Sequence, residues 1–342
     1  MASGEYPSIR KVKSHGSAKL EDFADLLDPP PPIIAASVSG CYVEGDTGAL
    51  LNGDFRLITE LSPYSKCSPI PSPWDHPSFL KIRTFDHEQL KGESVLLSNP
   101  NASVYFHWML EIFPRLSILE RCSFLPKNYR CLVPAGGAFI ADSLRSAGIP
   151  ESRILTLNSG TRYHCESLLT TSGLFPQANA TETANWLKKI FLESPSRLPE
   201  TTGNALIYIS RKDSGLRTVE NESEIIGEIE KRGGKVLMLE GMTISEQARH
   251  FHGASCIVAP HGSALTNLVF CRPGTKIIEL FSPSYVRVLY PRIGMALDLD
   301  YSVIIGQGVR EASGKPALYA PIRIQRDLLS ETLDRVLSGS ET

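Results

Sequence analysis

The apolar positions in the second half of the chain fall into short continuous runs separated by stretches with helical spacing. The continuous runs predict strands, which are Ala205–Ser210, Lys235–Leu239, Cys256–Ala259, Thr275–Phe281 and Tyr301–Ile305. Between them, Asn221 and Thr243 each stand three residues before a Glu, which is the capping-box spacing of a helix start. An amphipathic helix is predicted at Arg326–Leu337. Strands that alternate with helices predict a parallel sheet covered by helices, so we expect an α/β fold.

The first half of the chain reaches the same alternation only after Glu93. Residues 36–90 contain short alternating pieces separated by Gly, Asn and Asp, which predict β-hairpins, with a proline-rich loop at Ser62–Pro77. The later strands are predicted at Ser94–Leu97, Tyr129–Pro134, Arg153–Leu157 and Tyr163–Thr171. The helices are predicted at Val104–Leu119, Gly137–Gly148 and Thr181–Leu192. This half therefore predicts a second α/β domain that carries a β-rich extension.

The domain organisation follows from a break in the pattern at Ser194–Pro199, a short segment with two prolines that is typical of a linker. Residues 1–35 are polar and then proline-rich, which predicts a mobile segment or a brace over the surface. We therefore expect an N-terminal α/β domain at residues 36–198 and a C-terminal Rossmann-like domain with a closing helix at 199–342. A chain of 342 residues is long enough for two such domains.

Charge and cysteine content narrow the class of protein. The chain has 35 basic and 37 acidic residues, a net charge of −2, which argues against a nucleic-acid-binding surface. No run approaches the ~18 apolar residues that are needed to span a bilayer, and the amino terminus lacks the apolar core of an export signal. The seven cysteines form no CxxC pair, which favours a reducing compartment over a disulfide scaffold.

The stretch Cys256–Phe281 combines two apolar runs with a polar turn, Pro-His-Gly-Ser at 260–263. In a parallel sheet such a turn lies at the carboxyl end of a strand, where the helix that follows points free N–H groups at an anion such as a diphosphate. Gly262 would let the backbone approach that ligand closely. The side chains that can donate hydrogen bonds there are His261, Ser263, Thr266 and Asn267.

Glu279 is a charged residue toward the far end of the second apolar run of this stretch. It needs a polar partner, and sugar hydroxyls would meet that need. An alternative remains open for each of these residues. His261 and Thr266 could simply cap a helix, and Glu279 could sit at a solvated strand end.

Two more stretches carry candidate polar residues. The first is Asn101–Arg115, NASVYFHWMLEIFPR, and the second is Tyr208–Glu224, YISRKDSGLRTVENESE. Together with His-Gly-Ser-Ala-Leu-Thr-Asn at 261–267 and the later Glu-Leu, they resemble the signature of glycosyltransferase family 61, which includes plant xylosyltransferases and O-linked N-acetylglucosaminyltransferases. The departures are small: Ala264 stands where Gly is common, and Phe-Cys-Arg at 270–272 replaces a more apolar turn.

The resemblance implies a GT-B fold, in which two Rossmann-like domains face each other across a cleft. It also implies an inverting transfer of a sugar from a nucleotide-diphosphate sugar, with UDP as the expected nucleotide, to a hydroxyl of a polysaccharide, lipopolysaccharide or capsule acceptor. Because family members are usually membrane-tethered or luminal and no anchor is seen here, we expect a cytoplasmic protein. Peripheral contact with the inner face of the membrane stays open.

Inversion requires a base on the acceptor hydroxyl, for which Glu111 is the first candidate and His107, one helical turn before it, the second. Ser210, Arg211 and Arg217 would bind the donor, with the two guanidinium groups neutralising the diphosphate. Structural alternatives remain. Glu111 could pair with Arg115, His107 could be a core residue, and the arginines could be solvated.

No metal is expected, because the sequence has neither an Asp-x-Asp dyad nor histidines at zinc-ligand spacing. We expect metal-independent transfer, in which arginine and helix amides take the charge. The rival hypothesis is a non-catalytic module that binds a nucleotide or a glycan. A dinucleotide-dependent oxidoreductase is disfavoured because neither half opens with G-x-G-x-x-G. The oligomeric state stays open.

Overall fold

A computed structural model describes residues 13–15, 32–62, 76, 78, 85–193, 205–212, 216–308, 317 and 319–338. The chain forms two compact units. We call Pro30–Pro176 the N-terminal unit, and Gln177–Thr342 together with Met1–Pro29 the C-terminal unit. Strand β1, Lys13–His15, belongs to the C-terminal unit and the next six strands belong to the N-terminal one.

The N-terminal unit is built on a six-stranded mixed sheet. Its strands are β2 Ala35–Glu44, β3 Leu50–Leu51, β4 Asp86–Leu96, β5 Arg130–Pro134, β6 Ile154–Leu157 and β7 Thr161–Thr171. The order is β3-β2-β7-β4-β5-β6. Strand β2 runs antiparallel to both of its neighbours, whereas β7, β4, β5 and β6 are parallel. The antiparallel edge is the β-rich extension that the hairpin pattern predicted.

One face of this sheet forms the core of the N-terminal unit. Cys41 and Val43 of β2 pair with Cys165 and Tyr163 of β7, and all four side chains are buried in one apolar cluster. Tyr42 lies between them in sequence and points the other way, as the period of a strand requires. Within the stretch 36–90 that predicted hairpins, residues 55–58 form no strand of their own, but they pair with residues 50–52 through a bridge between Leu51 and Leu57 and through backbone hydrogen bonds. The predicted loop at 62–77 lies almost entirely outside the described residues.

The α-helical and π-helical segments described in the N-terminal unit lie between β4 and β6 in the chain. They are α1 Tyr105–His107, a π-helical turn at Trp108–Ile112, α2 Arg115–Arg121 and α3 Phe139–Ser146. The sequence predicted one helix over Val104–Leu119, and the structure divides it. Pro114 has no N–H to donate to the preceding turn, so the chain widens into the π-helical turn and α2 begins after the proline.

The C-terminal unit contains a six-stranded sheet that is parallel throughout. Its further strands are β8 Ala205–Ile209, β9 Lys235–Leu237, β10 Ala254–Pro260, β11 Lys276–Phe281 and β12 Asp300–Ile305. The order is β1-β12-β11-β10-β8-β9. Each of the five strands predicted in this half is present, with ends that differ by one or two residues. A parallel sheet explains why these strands read as continuous apolar runs, since both faces are covered.

The helices of the C-terminal unit are α4 Ala180–Phe191, α5 Glu222–Glu230, α6 Ile244–Gly253, a 3-10 helix at Ser263–Phe270, α7 Leu289–Ala296 and α8 Arg326–Ser338. Helix α4 packs against the 3-10 helix and α6, for example through Phe191 on Phe270. The sequence analysis put the domain boundary at 198/199, whereas these contacts assign α4 and the chain from Gln177 to the C-terminal unit. The linker predicted at Ser194–Pro199 lies outside the described residues. The fold is α/β in both units.

Candidate functional site

His261 and Glu279 form a buried pair at the carboxyl edge of the C-terminal sheet. His261 directly follows β10, and Glu279 lies near the end of β11, its neighbour in the sheet. The His261 Nδ1 and Glu279 Oε1 atoms are 2.6 Å apart. The Tyr301 hydroxyl donates to Glu279 Oε2 at 2.8 Å. Both carboxylate oxygens of Glu279 are therefore occupied by protein groups, and its side chain is fully buried. The partner of Glu279 is thus His261 rather than a sugar hydroxyl or solvent.

Burial and charge both act on the pKa of His261. Burial lowers this pKa most, and the guanidinium groups of Arg217, Arg211 and Arg287 lower it further, so that it lies well below its ordinary value. The imidazole is therefore neutral at physiological pH. Burial also raises the pKa of Glu279, and the hydrogen bond from Tyr301 acts in the opposite direction.

Three aromatic rings enclose the His261 imidazole. Phe281 stacks on it with ring centroids 4.9 Å apart. Tyr285 and Tyr290 each lie at 5.5 Å. The His261 amide donates to the Leu280 carbonyl. Backbone and rings together fix the imidazole in one orientation, which is what a ligand-binding side chain needs.

Arg211 and Arg217 lie at the same edge of the sheet, after the end of β8. Arg217 Nε donates to the His261 carbonyl at 3.1 Å, and its guanidinium lies 5.2 Å from the centre of the Tyr285 ring. Arg211 donates to the Leu216 carbonyl and packs on Gly262. A Cβ atom on Gly262 would lie 2.6 Å from Arg211 Cζ, so only glycine leaves room for this guanidinium. The role of Gly262 is thus to admit an arginine against the backbone.

The remaining predicted donor residues lie near this cluster but bond to other protein groups. Ser210 Oγ donates to Glu222 Oε1 at 2.8 Å. Asn267 Nδ2 donates to Gln247 Oε1 at 2.8 Å. The Thr266 and Tyr290 hydroxyls are 3.4 Å apart. Ser263, at the start of the 3-10 helix, is partly exposed. These contacts give Ser210 and Asn267 a bonding role inside the unit in addition to any contact with a ligand.

Several residues of this cluster were not predicted from the sequence. They are Tyr301, Tyr285, Tyr290 and Arg287. Tyr301 opens a strand whose pattern is simply apolar, and Tyr285 and Arg287 stand in a segment without a motif. A signal existed only for Tyr301, since a buried carboxylate in β11 requires a donor from a neighbouring strand.

The second candidate group lies in the N-terminal unit, at the π-helical turn. His107 Nδ1 and Glu111 Oε2 are 2.8 Å apart, and the two side chains are 24% and 15% exposed. The pair is the one that the four-residue spacing predicted. A π-helical turn inside a helix is frequent at functional sites. The Glu111 carboxylate is bound to His107, so the alternative in which it pairs with the side chain of Arg115 is not what forms.

Arg115 is fully buried beneath the π-helical turn. Its Nε donates to the Glu111 carbonyl at 3.2 Å. Its Nη1 and Nη2 atoms have no hydrogen-bond partner among the described residues. Burial lowers the pKa of Arg115 to about 10, and the nearby charge of Glu111 acts in the opposite direction. A buried guanidinium with two unpaired nitrogens costs stability.

Two absences apply to the part of the chain that the structure describes. No group of three His, Cys, Asp or Glu side chains there could hold a metal ion. Within the same ranges, no helix has both the length and the apolar character needed to cross a membrane.

Comparison with known proteins shows that this chain is similar to glycosyltransferases. The family Glycosyltransferase 61 matches residues 105–278. The match includes the π-helical turn, the arginines after β8 and His261, and it ends one residue before Glu279. Beta-1,2-xylosyltransferase RCN11 of Oryza sativa subsp. japonica is 29% identical over 170 residues, 47% of this chain. The match spans only 28% of that protein's length.

A comparison of folds gave a weaker likeness. A crystal structure of D-mandelate dehydrogenase from Rhodotorula graminis aligns with 72% of this chain and 78% of its own, at 11% identity and a TM-score of 0.19. A TM-score this low carries no argument about fold or function.

Proposed function

The chain belongs to glycosyltransferase family 61, and we propose on this basis that it is an inverting glycosyltransferase that uses a nucleotide-diphosphate sugar. The observation that carries the proposal is the cluster at the carboxyl edge of the C-terminal sheet. It combines guanidinium groups of Arg211 and Arg217, a buried His261 and the amino end of the 3-10 helix, within the region that the family matches. Such an edge is where α/β sheets bind nucleotides.

Each group has a role in the donor site under this proposal. Arg211 and Arg217 bind the diphosphate and neutralise its charge as it leaves. The backbone at Gly262 and Ser263 approaches the phosphates, and Thr266 and Asn267 line the helix behind them. Glu279 contributes through His261, because its own oxygens are already bonded.

The N-terminal unit supplies the acceptor chemistry. Glu111 is the proposed base that takes the proton from the acceptor hydroxyl. His107, hydrogen-bonded to Glu111, would orient the carboxylate or relay the proton. We also propose a GT-B fold for the chain, as the family resemblance implies.

The finer assignments follow the family resemblance. We propose UDP as the nucleotide, a polysaccharide, lipopolysaccharide or capsule glycan as acceptor, transfer without a metal ion, and a cytoplasmic location that allows contact with the inner face of the membrane. The rice relative is named as a xylosyltransferase, so UDP-xylose is the first donor to test.

The experiment is a transfer assay with purified full chain, a panel of nucleotide sugars and a mixture of glycan acceptors, read by mass spectrometry. We expect a product with wild type, and a loss of about 10²–10⁴-fold in rate with Glu111→Gln at unchanged donor affinity, as for removal of a general base. The matched control is Glu120→Gln, an exposed carboxylate a few residues on. Donor binding without product from any wild-type mixture would favour the non-catalytic module.

A further inference from the structure

The hydrogen-bonding direction of His261 follows from the groups that surround it. One ring nitrogen, Nδ1, faces Glu279 Oε1 at 2.6 Å. The other, Nε2, makes no hydrogen bond to the described residues, and it is not among their fully buried unpaired nitrogens. Nε2 is therefore the atom of His261 that a ligand can reach. Whether it donates or accepts depends on which nitrogen holds the proton.

The charged and titratable groups around the pair decide where that proton lies. Tyr301, from β12, already donates to Glu279 Oε2. The other groups that face the imidazole are Tyr285, Tyr290 and the guanidinium groups of Arg211, Arg217 and Arg287. The Tyr301 hydroxyl and the imidazole Nδ1 lie against the two oxygens of Glu279, as the two donors that an ionised carboxylate, and therefore a pair with one negative charge, requires. A singly negative pair has only one arrangement of sensible energy, a carboxylate that accepts from Nδ1–H of a neutral imidazole.

We propose that Glu279 and Tyr301 are positioning residues that hold His261 with Nδ1 protonated, so that Nε2 accepts a hydrogen bond from a hydroxyl group of the ligand. An unprotonated Nε2 cannot donate to a phosphate oxygen. The cluster therefore has two chemically distinct parts, an anion-binding part at Arg211 and Arg217 and a hydroxyl-accepting part at His261. This inference rests on the proposed function for the identity of the anion, a nucleoside diphosphate.

The proposal narrows the ligand class. The group bound here must carry a free hydroxyl beside its diphosphate. A ribose hydroxyl of the nucleotide and a hydroxyl of the transferred sugar are the two sources of that chemistry, and a diphosphate without either would use only half of the site.

The first measurement reads the tautomer directly, without any ligand. Long-range ¹H–¹⁵N correlation spectra of ¹⁵N-histidine-labelled full chain, with the His261 signals assigned by comparison with His261→Gln, distinguish Nδ1–H, Nε2–H and the imidazolium. We expect the neutral Nδ1–H form at neutral pH. It should be kept in Tyr301→Phe and should shift toward Nε2–H in Glu279→Gln, whose amide can donate to Nδ1. An Nε2–H form or an imidazolium in wild type overturns the proposal.

The second measurement locates the hydroxyl by calorimetry with four probes. These are UDP, its 2′-deoxy and 3′-deoxy forms, and UDP-xylose. We expect at least one deoxy form to bind wild type about tenfold more weakly than UDP if the hydroxyl is on ribose, or UDP-xylose to bind about tenfold more tightly than UDP if it is on the sugar. Glu279→Gln should remove that difference while Glu331→Gln, an exposed carboxylate on α8, keeps it.

The outcomes separate the two claims. Equal affinity of wild type for all four probes overturns the inference and leaves the donor site standing. No binding of UDP or UDP-xylose by wild type counts against the proposed nucleotide, and the tautomer measured in the free protein then still decides whether His261 is an acceptor.

Discussion

Gly262 has no Cβ atom, and the Arg211 guanidinium occupies the space that such an atom would take. We expect Gly262→Ala to displace this guanidinium and to weaken nucleoside diphosphate binding at least tenfold, the effect of losing about one charge-assisted hydrogen bond. Titration calorimetry measures this. Gly227→Ala is the matched control, because a Cβ atom there meets nothing within 4 Å. Equal affinities of the two variants would show that Arg211 does not bind the ligand.

Arg115 tests whether a buried charge is kept for function at a cost in stability. Arg115→Met keeps most of the volume and removes a guanidinium whose Nη atoms have no hydrogen-bond partner among the described residues. We expect the free energy of unfolding to rise by about 1 kcal/mol or more, because a buried ion without its partners costs more than one Nε hydrogen bond returns. Transfer should fall at the same time. A less stable variant with full activity contradicts this account.

At the residue scale, the sequence predicted candidate site residues more readily than it predicted the contacts between them. His261 and Glu279 were both predicted, yet they are 18 positions apart and their contact depends on the pairing of β10 with β11. The sequence pattern could not show that Tyr301 donates a hydrogen bond to Glu279, because the register between strands depends on the tertiary fold. His107 and Glu111 were predicted as a pair because helical spacing is local.

At the scale of elements, a carboxylate on α5 joins two helices of the C-terminal unit. Glu228 accepts from Lys231 and Arg232 on its own side and from Arg326 of α8, all near 2.8–2.9 Å. Arg232 in turn binds Asp334 of α8. These bonds hold the pKa of Glu228 well below its ordinary value of 4.5, against the effect of burial. The network therefore links α8 to α5 and to the turn that follows α5.

The depressed pKa fixes the sign of the pH dependence. The ionised Glu228 stabilises the folded state fully above pH 4.5, and that contribution is lost as pH falls below this value toward the folded-state pKa. We expect Glu228→Gln to lower the free energy of unfolding by about 1–3 kcal/mol at pH 7, with the difference from wild type shrinking below pH 4.5. Urea unfolding at several pH values measures this, with Glu331→Gln as control. A difference that is constant with pH would assign the effect to packing.

Helix starts show how far local rules extend. The capping box predicted at Thr243 forms as expected, with Thr243 and Glu246 bonded reciprocally. At Asn221 the helix also begins where predicted, but the side chain bonds to the backbone of Ile324 instead of capping its own helix. The helix predicted over 104–119 is divided because Pro114 overrides the apolar spacing. Local sequence thus predicts where a helix begins, whereas the segment packed against that helix determines which hydrogen bonds the capping side chain forms.

At the scale of the whole molecule, the α/β class was predictable from the alternation of strands and helices. The boundary between the two units was not predictable. Helix α4 packs on elements that follow it in the chain, but the proline-containing segment 194–199, which predicted the linker, lies between α4 and those elements. The short β1 was not predicted either, since its partner β12 lies nearly 300 residues away, at Lys13 beside Ser302. Long-range pairing of this kind has no local signature.

Metal independence is a property of the whole reaction and is tested as such. We expect the transfer rate of the full chain to change by less than about twofold after treatment with EDTA, because guanidinium groups and helix amides can take the charge that a cation would neutralise. The same assay with added manganese should give no increase. Activity that disappears with the chelator and returns with manganese would overturn the proposed metal-free donor site.

The central claim is that the carboxyl edge of the C-terminal sheet binds the nucleotide-diphosphate donor. The most direct measurement is calorimetric titration of UDP and UDP-xylose into wild type, Arg211→Met, Arg217→Met and the control Arg145→Met, whose side chain is 61% exposed. The account predicts that wild type and Arg145→Met bind with the same affinity and that each site variant binds about 10–100-fold more weakly. Binding that is unchanged in both site variants would contradict the claim.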